Sequence, residues 1–209
     1  MNYSTVKRLF DLIGVVLGLS VVGPLLVIVT FAVLLASGKP ILYRGVRAGL
    51  NNDPFVIYKF RTMVPNAEML GGPSTALDDH RLTRIGGFLR KYKLDELPQL
   101  FNVLKGDMSL VGPRPQVLEY TNKYDVSEMR ILSVKPGLTD YASIKFIDMD
   151  AVLGKENVDV KYALEVEPIK NQLRLQYVDD VSFLVDVKIL FLTLLRLLRI
   201  NIDGIRSVR

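Results

Sequence analysis

At 209 residues and 49% hydrophobic, with no cysteine and a single histidine, the chain excludes disulfides, thiolate metal sites, Ser-His-Asp catalysis and multi-histidine metal centres. Its net charge of +5 suits an anionic partner and does not choose between nucleic acid, anionic lipid and a phosphorylated small molecule. Acid-base or covalent chemistry therefore falls to carboxylates, hydroxyls, lysines or tyrosines.

The chain opens on an apolar segment: from Leu12 through Gly38 no residue is charged. That is longer than the roughly 20 apolar residues a helix needs to cross a bilayer. Three readings compete. A cleaved signal peptide is suggested by Lys7-Arg8 before the run and Ala36-Ser37 within it, but the run is too long for a signal core. A plain transmembrane helix conflicts with the flanks, because Lys7 and Arg8 precede the segment while Lys39, Arg44 and Arg47 follow it. The positive-inside tendency holds both flanks in the cytoplasm. Gly23-Pro24 near the middle favours the third reading, a re-entrant hairpin of two arms that dips into the membrane and returns. Proline removes a backbone donor and clashes with the preceding turn, and the freed carbonyls need partners such as the Ser20 hydroxyl.

Residues 40–48 and 55–62 predict short strands around the turn-rich Gly49–Pro54. Residues 64–80 predict a loop with a helical turn near Asn66-Ala67-Glu68. Apolar spacing predicts helices over 82–92 and 94–105, stopped by Gly106. Pro113 and Pro115 predict an extended stretch over 108–116. Helix is expected again over 117–132 and, after a break at Pro136-Gly137, from about 158 to 178. Residues 183–200 read equally as a core-packing helix or a basic amphipathic helix on a membrane surface. The fold class implied is α/β and helix-rich. It comprises a membrane hairpin over 1–38 and one compact cytosolic unit over 39–209 with membrane-associated amphipathic helices.

The densest chemistry lies in "KLDELPQLFNVLKGDMSLVGPRP", Lys93 to Pro115. Asp95 and Glu96 are neighbours, so on a helix they point about 100° apart and can serve different roles. An Asp-Glu pair in a first helical turn is also an ordinary partner for the helix dipole. Its surroundings argue for more: Arg81, Arg84, Arg90, Lys91 and Lys93 crowd the preceding segment, and Arg114 sits between two prolines. Guanidinium forks suit phosphate oxygens, and a proline-locked loop loses little entropy on binding. Lys59 and Arg61 add alternating cations to a strand. A nucleic-acid groove is disfavoured by sparse aromatic interleaving and the absence of tryptophan. An apolar hairpin beside a phosphate-seeking, carboxylate-bearing site points to a lipid phosphate.

"YKFRTM" (58–63), "LTRIGGFLRKYKLDELPQLFNVLKGDMSLVGPRP" (82–115) and "VKPGLT" (134–139) resemble the bacterial sugar transferases, the monotopic polyprenyl-phosphate phosphoglycosyl transferases. The chain is similar to the small catalytic form. The resemblance implies transfer of a sugar-1-phosphate from a UDP-sugar to polyprenyl (undecaprenyl) phosphate, with release of UMP and initiation of glycoconjugate assembly. It implies that Asp95 is the nucleophile, forming a covalent phosphosugar-aspartate, and that Glu96, with Asp95, helps hold Mg²⁺. The expected partners are the UDP-sugar, the polyprenyl phosphate and the lipid bilayer, with no nucleic acid. A homo-oligomer and downstream glycosyltransferases are further expected partners, and the expected location is the cytoplasmic face of the bacterial inner membrane. The rival from another class is an inactive membrane-bound scaffold of the same fold.

From the residues themselves, Arg114 is the first candidate to clamp a donor phosphate, with Lys59, Arg61 and Arg84 behind it. Gln99 and Asn102 share a helical face with Asp95 and either orient its carboxylate or satisfy buried backbone. Asp107 reads better as a structural cap than as a metal ligand, and His80 as a loop residue. Three departures from the family pattern stand out. Gly23 replaces a serine before the proline, and Gly87 replaces a basic residue. Asp140-Tyr141-Ala142-Ser143 replaces a Gly-aromatic-Ala-Gln stretch, which implies a donor other than UDP-glucose or UDP-galactose.

Overall fold

The computed structural model describes residues 3–72, 75 and 79–200, so part of the expected 64–80 loop lies outside the described residues. Helix α1, Tyr3–Ser37, runs through Pro24 as one helix, and no separate loop divides it at Gly23-Pro24. Pro24 offers no N–H to the Ser20 carbonyl. The Ser20 hydroxyl donates to Val16 O at 2.9 Å and Thr30 Oγ1 to Leu26 O at 2.7 Å, so both hydroxyls are spent within the helix. Such back-bonding favours a bent helix.

The N-terminal half of α1 packs Val15, with Leu19 and Val22, into the main apolar core. The C-terminal half packs Val29 and Val33 with Phe60 and Leu89 into a second cluster. Much of the rest of α1 faces outward as aliphatic surface, including Leu17, Val21, Ile28, Phe31 and Leu35. Polar ties hold both ends to the same body. Lys7 Nζ donates to Asp186 Oδ2 at 2.6 Å, and Arg8 donates to the carbonyls of Val103 and Leu104 at 2.7 and 2.9 Å. Buried Asp11 accepts from Ser109 Oγ and Leu110 N at 3.0 Å each. At the far end Arg61 donates to the carbonyls of Ser37, Gly38 and Lys39. α1 is long and apolar enough to cross a membrane, and little of its most apolar window is buried, which fits membrane association.

Strands β1 (Leu42–Ala48) and β2 (Pro54–Phe60) form the expected antiparallel hairpin, pairing Tyr43 with Lys59 and Gly45 with Ile57. Helix α2 (Arg84–Lys91) is capped by the Thr83 hydroxyl, which accepts from Gly86 N at 3.0 Å. A 3-10 turn, Leu94–Glu96, then leads to α3, Gln99–Lys105. Gly106 ends α3 at φ 97, a left-handed geometry that glycine adopts without Cβ strain.

β3 (Ser109–Val111) pairs in parallel with β4 (Gly137–Thr139), a pairing the sequence pattern did not predict. The two backbones approach so closely that a Cβ on Gly137 would lie 2.1 Å from Gly112 N, so glycine is required there. Continuous helix over 117–132 is also not observed. α4 covers only Leu118–Thr121, and Glu128–Ser133 is 3-10. Asp125 Oδ1 accepts from Ser127 N and Glu128 N at 2.7 and 2.8 Å, and this turn interrupts the helix.

The chain continues through α5 (Tyr141–Lys145), α6 (Met149–Leu153), α7 (Val158–Lys161), a π-helical turn (Tyr162–Val166) and α8 (Glu167–Asp180). It ends in α9, Phe183–Leu197. α9 combines the two readings of its sequence. Asp186, Ile189 and Leu192 are buried, while Leu184, Val187, Phe191 and Leu194 leave a second apolar face exposed. Phe10 and Phe183 meet edge to face at 5.2 Å, which ties α1 to α9.

Candidate active site

The Asp-Glu pair is presented by a turn, not by the body of a helix. Lys93, at φ 56, holds a left-handed conformation unusual for a lysine, and this bend swings Leu94–Glu96 away from the axis of α2. Asp95 is left 5% exposed, directed into the protein, and its Oδ1 is buried without a hydrogen-bond partner among the described residues. Glu96 points the other way into a cluster of cations. Its Oε1 accepts from Lys59 Nζ at 3.0 Å and from Arg114 Nη2.

Three elements set those cations. Lys59 is the penultimate residue of β2, and Asn102 fixes that strand against α3. The Asn102 side chain accepts from Tyr58 N at 3.0 Å and donates to Val56 O at 2.7 Å and Asp107 Oδ2 at 3.3 Å. Asn102 and Asp107 are therefore structural pins, and neither is directed at the carboxylate pair. Arg114 is held at both ends of its residue. Its backbone N–H donates to Asp140 Oδ2 at 3.0 Å and its Nη1 to Leu138 O at 3.2 Å. Asp140 is itself fixed as the cap of α5, accepting from Ser143 N at 2.6 Å and Ser143 Oγ at 2.7 Å. Rotation of the guanidinium is thus restricted before any ligand arrives.

Burial acts on both carboxyls in the same sense, yet they move in opposite directions. Burial and the neighbouring Glu96 charge push the Asp95 carboxyl up, against the pull of Lys59, Arg90 and Arg114. Burial also works to raise Glu96, but Arg114 and Lys59 outweigh it and hold that carboxyl well below the usual range. Lys59 is lowered by burial despite its carboxylate partner. The arrangement gives one carboxylate held in its ionised form by two cations, and one buried carboxyl with an unpartnered oxygen.

A cavity of about 500 Å³ opens over this pair, lined by Lys59, Arg90, Asp95, Glu96 and Arg114 and also by Tyr162, Lys170 and Arg174. Arg90 reaches it from α2, with Nε on Thr62 Oγ1 at 3.1 Å and Nη1 on Thr75 Oγ1 at 2.6 Å. Among the described residues no three acidic or histidine side chains gather into a metal cage. The pair nonetheless fits a hard cation that takes its remaining ligands from phosphate and water, because Asp95 Oδ1 is a buried carboxylate oxygen without a partner.

The sequence candidates thus divide. Asp95, Glu96, Lys59 and Arg114 converge. Arg61 does not line this cavity, because β2 ends at Phe60 and the guanidinium turns to the carbonyls that close α1. Arg84, the first residue of α2, is exposed and also lies outside the cavity lining. Gln99 is fully buried and is absent from the cavity lining; neither its Nε2 nor its Oε1 has a hydrogen-bond partner among the described residues. Lys170, Arg174 and Tyr162 escaped the sequence reading. The available signal was the stripe of Glu167, Lys170 and Arg174 on one helical face.

Residues 2–200 match the profile of a family described as bacterial sugar transferase. The chain belongs to that family. It is 38% identical over 192 residues to the uncharacterised sugar transferase EpsL of Bacillus subtilis (strain 168), covering 92% of this chain and 87% of that protein. It is 34% identical over 197 residues to the UDP-N-acetylgalactosamine-undecaprenyl-phosphate N-acetylgalactosaminephosphotransferase of Aeromonas hydrophila, covering 92% of this chain and 43% of that one. The undecaprenyl-phosphate glucose phosphotransferase of Komagataeibacter xylinus is 38% identical over 200 residues, 91% of this chain and 35% of that protein. The chain therefore spans less than half the length of the last two relatives.

Proposed function

We propose that the protein transfers a sugar-1-phosphate from a UDP-sugar to a polyprenyl phosphate at a membrane surface. The observation that carries this reading is the Asp95 carboxylate: buried, pushed up in pKa, unpartnered at Oδ1, and set on the wall of a cation-rich cavity. An Asp95 oxygen attacks the β-phosphorus of the donor, the bond from that phosphorus to the bridging oxygen of the α-phosphate breaks, and UMP leaves. An oxygen of the lipid phosphate then attacks the same phosphorus and restores the carboxylate. Arg114 and Lys59 stabilise charge on the transferring phosphoryl oxygens, and Glu96 holds both cations in place. Asp95 and Glu96 would hold magnesium. When bound there, it neutralises the diphosphate and orients its oxygens.

The ties at both ends of α1 support a membrane geometry in which the helix does not cross. It is bonded to one body at Lys7–Asp11 and again at Ser37–Lys39. We read α1 as re-entrant, bent about Gly23-Pro24, with the body on the cytoplasmic face where Lys7, Arg8, Lys39, Arg44 and Arg47 lie.

Purified full-length protein, incubated with a panel of UDP-sugars, undecaprenyl phosphate and Mg²⁺, is expected to release UMP with at least one donor. With donor alone, intact mass is expected to rise by one phosphosugar, located on Asp95. An active enzyme that never carries that mass would remove the covalent step. Single cysteines at Ser4 and Ser37 are expected to label from one side of the membrane, and labelling from opposite sides would remove the re-entrant reading.

A further inference from the structure

The cavity lining includes an amine that the proposed chemistry leaves unused. Lys170, on α8, lines the cavity together with Tyr162 of the π-helical turn and Phe146 just beyond α5. Its ammonium lies 4.9 Å from the Tyr162 ring centroid and 5.8 Å from that of Phe146, with no hydrogen bond or ion pair among the described residues. The carboxylates in its neighbourhood are already engaged. Glu167 accepts from Gln116 Nε2 at 2.6 and 2.7 Å and from Arg174 Nη1 at 2.9 Å. Asp140 accepts from Arg114 N and Ser143. Arg174 on the same helix and Arg114 from the Pro-Arg-Pro loop oppose a third positive charge. Burial, then Arg174 and Arg114, bring the Lys170 ammonium down to about 7 against the weaker support of Glu167 and Asp140.

Two ring faces compensate part of the desolvation of an ammonium, but they do not replace an anion. A half-buried amine that no carboxylate among the described residues pairs with, facing the cavity between two aromatic rings, is arranged to meet an anion from outside. We propose that Lys170 is a donor-recognition residue that binds an oxyanion of the nucleotide sugar. That oxyanion is a phosphate oxygen of the diphosphate or a carboxylate on the transferred sugar. The assignment rests on the donor reading above and names a residue that anchors the donor within the cavity.

The test is calorimetric binding with full-length protein in an Asp95→Asn background, which removes turnover. The probes are UDP, UDP-glucose and UDP-glucuronic acid. Lys170→Met is expected to weaken binding about 10- to 100-fold, the worth of a hydrogen bond to a charged group, while Lys170→Arg stays within about threefold of its parent. Loss for all three probes assigns the diphosphate, and loss confined to UDP-glucuronic acid assigns a sugar carboxylate. In the absence of ligand the Met variant is expected to melt at or above its parent's temperature, because it removes an uncompensated, half-buried charge; a packing role would lower it. A second measurement does not depend on the Met variant folding. The parent's affinity for UDP-glucuronic acid, which carries both oxyanions, should fall as pH rises from about 7 to 9, since ligand binding then requires protonating Lys170, and the Arg variant's should stay flat. Equal affinities of Met variant and parent, or a flat pH profile in the parent, overturn the assignment and leave the donor reading standing. If the parent binds none of the probes, the donor reading falls and this assignment falls with it.

Discussion

Two buried charge clusters border one cavity, and burial leaves opposite results in them. The Glu167 carboxylate is well supplied with partners. Gln116, Arg174 and the Tyr162 hydroxyl converge on its carboxylate, and together they overcome burial and hold it below its ordinary pKa. Asn171 and Tyr124 extend the same network to Glu128, at the start of the 3-10 stretch. Around the Asp-Glu pair the cations are spent on Glu96 alone, and Asp95 is buried without comparable support, so its carboxyl is pushed up. The Glu167 network ties two helical segments together. The Asp-Glu pair leaves one carboxylate oxygen without a partner among the described residues.

The comparison predicts different failures in the two clusters. Asp95→Asn should cut UMP release by on the order of 10⁴-fold or more while leaving the melting temperature unchanged or raised, because an amide replaces a carboxyl that burial disfavours. Substantial turnover in that variant would erase the distinction between the clusters. The same carboxyl sets a pH expectation. If Asp95 is the nucleophile proposed above, only its ionised form attacks; its pKa is raised, so kcat/KM should fall with acid at a pH above the ordinary aspartate range. An acid limb at or below that range would contradict the raised pKa.

Arg174→Ala should act on stability. It strips one partner from a buried ion pair that is 2% and 8% exposed, at a cost of about 3–5 kcal/mol in chemical denaturation. Arg114→Lys is smaller and falls on catalysis. A lysine cannot hold Glu96 and the Leu138 carbonyl with one planar fork, so kcat/KM should drop about 10- to 100-fold with the fold intact. The smallest effect belongs to Arg130→Ala. Its pair with Asp179 is 54% exposed on both sides, so stability should change by less than about 1 kcal/mol.

Much of this molecule was readable locally. The β1–β2 hairpin, α2, α3 and the stop at Gly106 follow from patterns within a few residues, and Asp95, Glu96 and Arg114 lie within one short stretch. Arg61 illustrates the limit. Two residues after Lys59, it should share that side chain's face of the strand, but β2 ends at Phe60 and the chain turns Arg61 toward α1. β4 has only three residues and a partner far back in the chain, so neither its period nor its pairing shows in sequence. Lys170 and Arg174 carry no motif, and their role depends on which residues of distant segments face them.

Composition and spacing by themselves determined the apolar N-terminal helix, the helix-rich class and the residues with reactive potential, because burial tendency and hydrogen-bonding chemistry are properties of each side chain. Only the tertiary structure decided which cations Glu96 consumes, which carboxylate oxygen is left without a partner, and that both ends of α1 return to one body. Those outcomes depend on distances between residues far apart in the chain, and at short range a shift of an ångström or two separates a paired charge from an unpaired one.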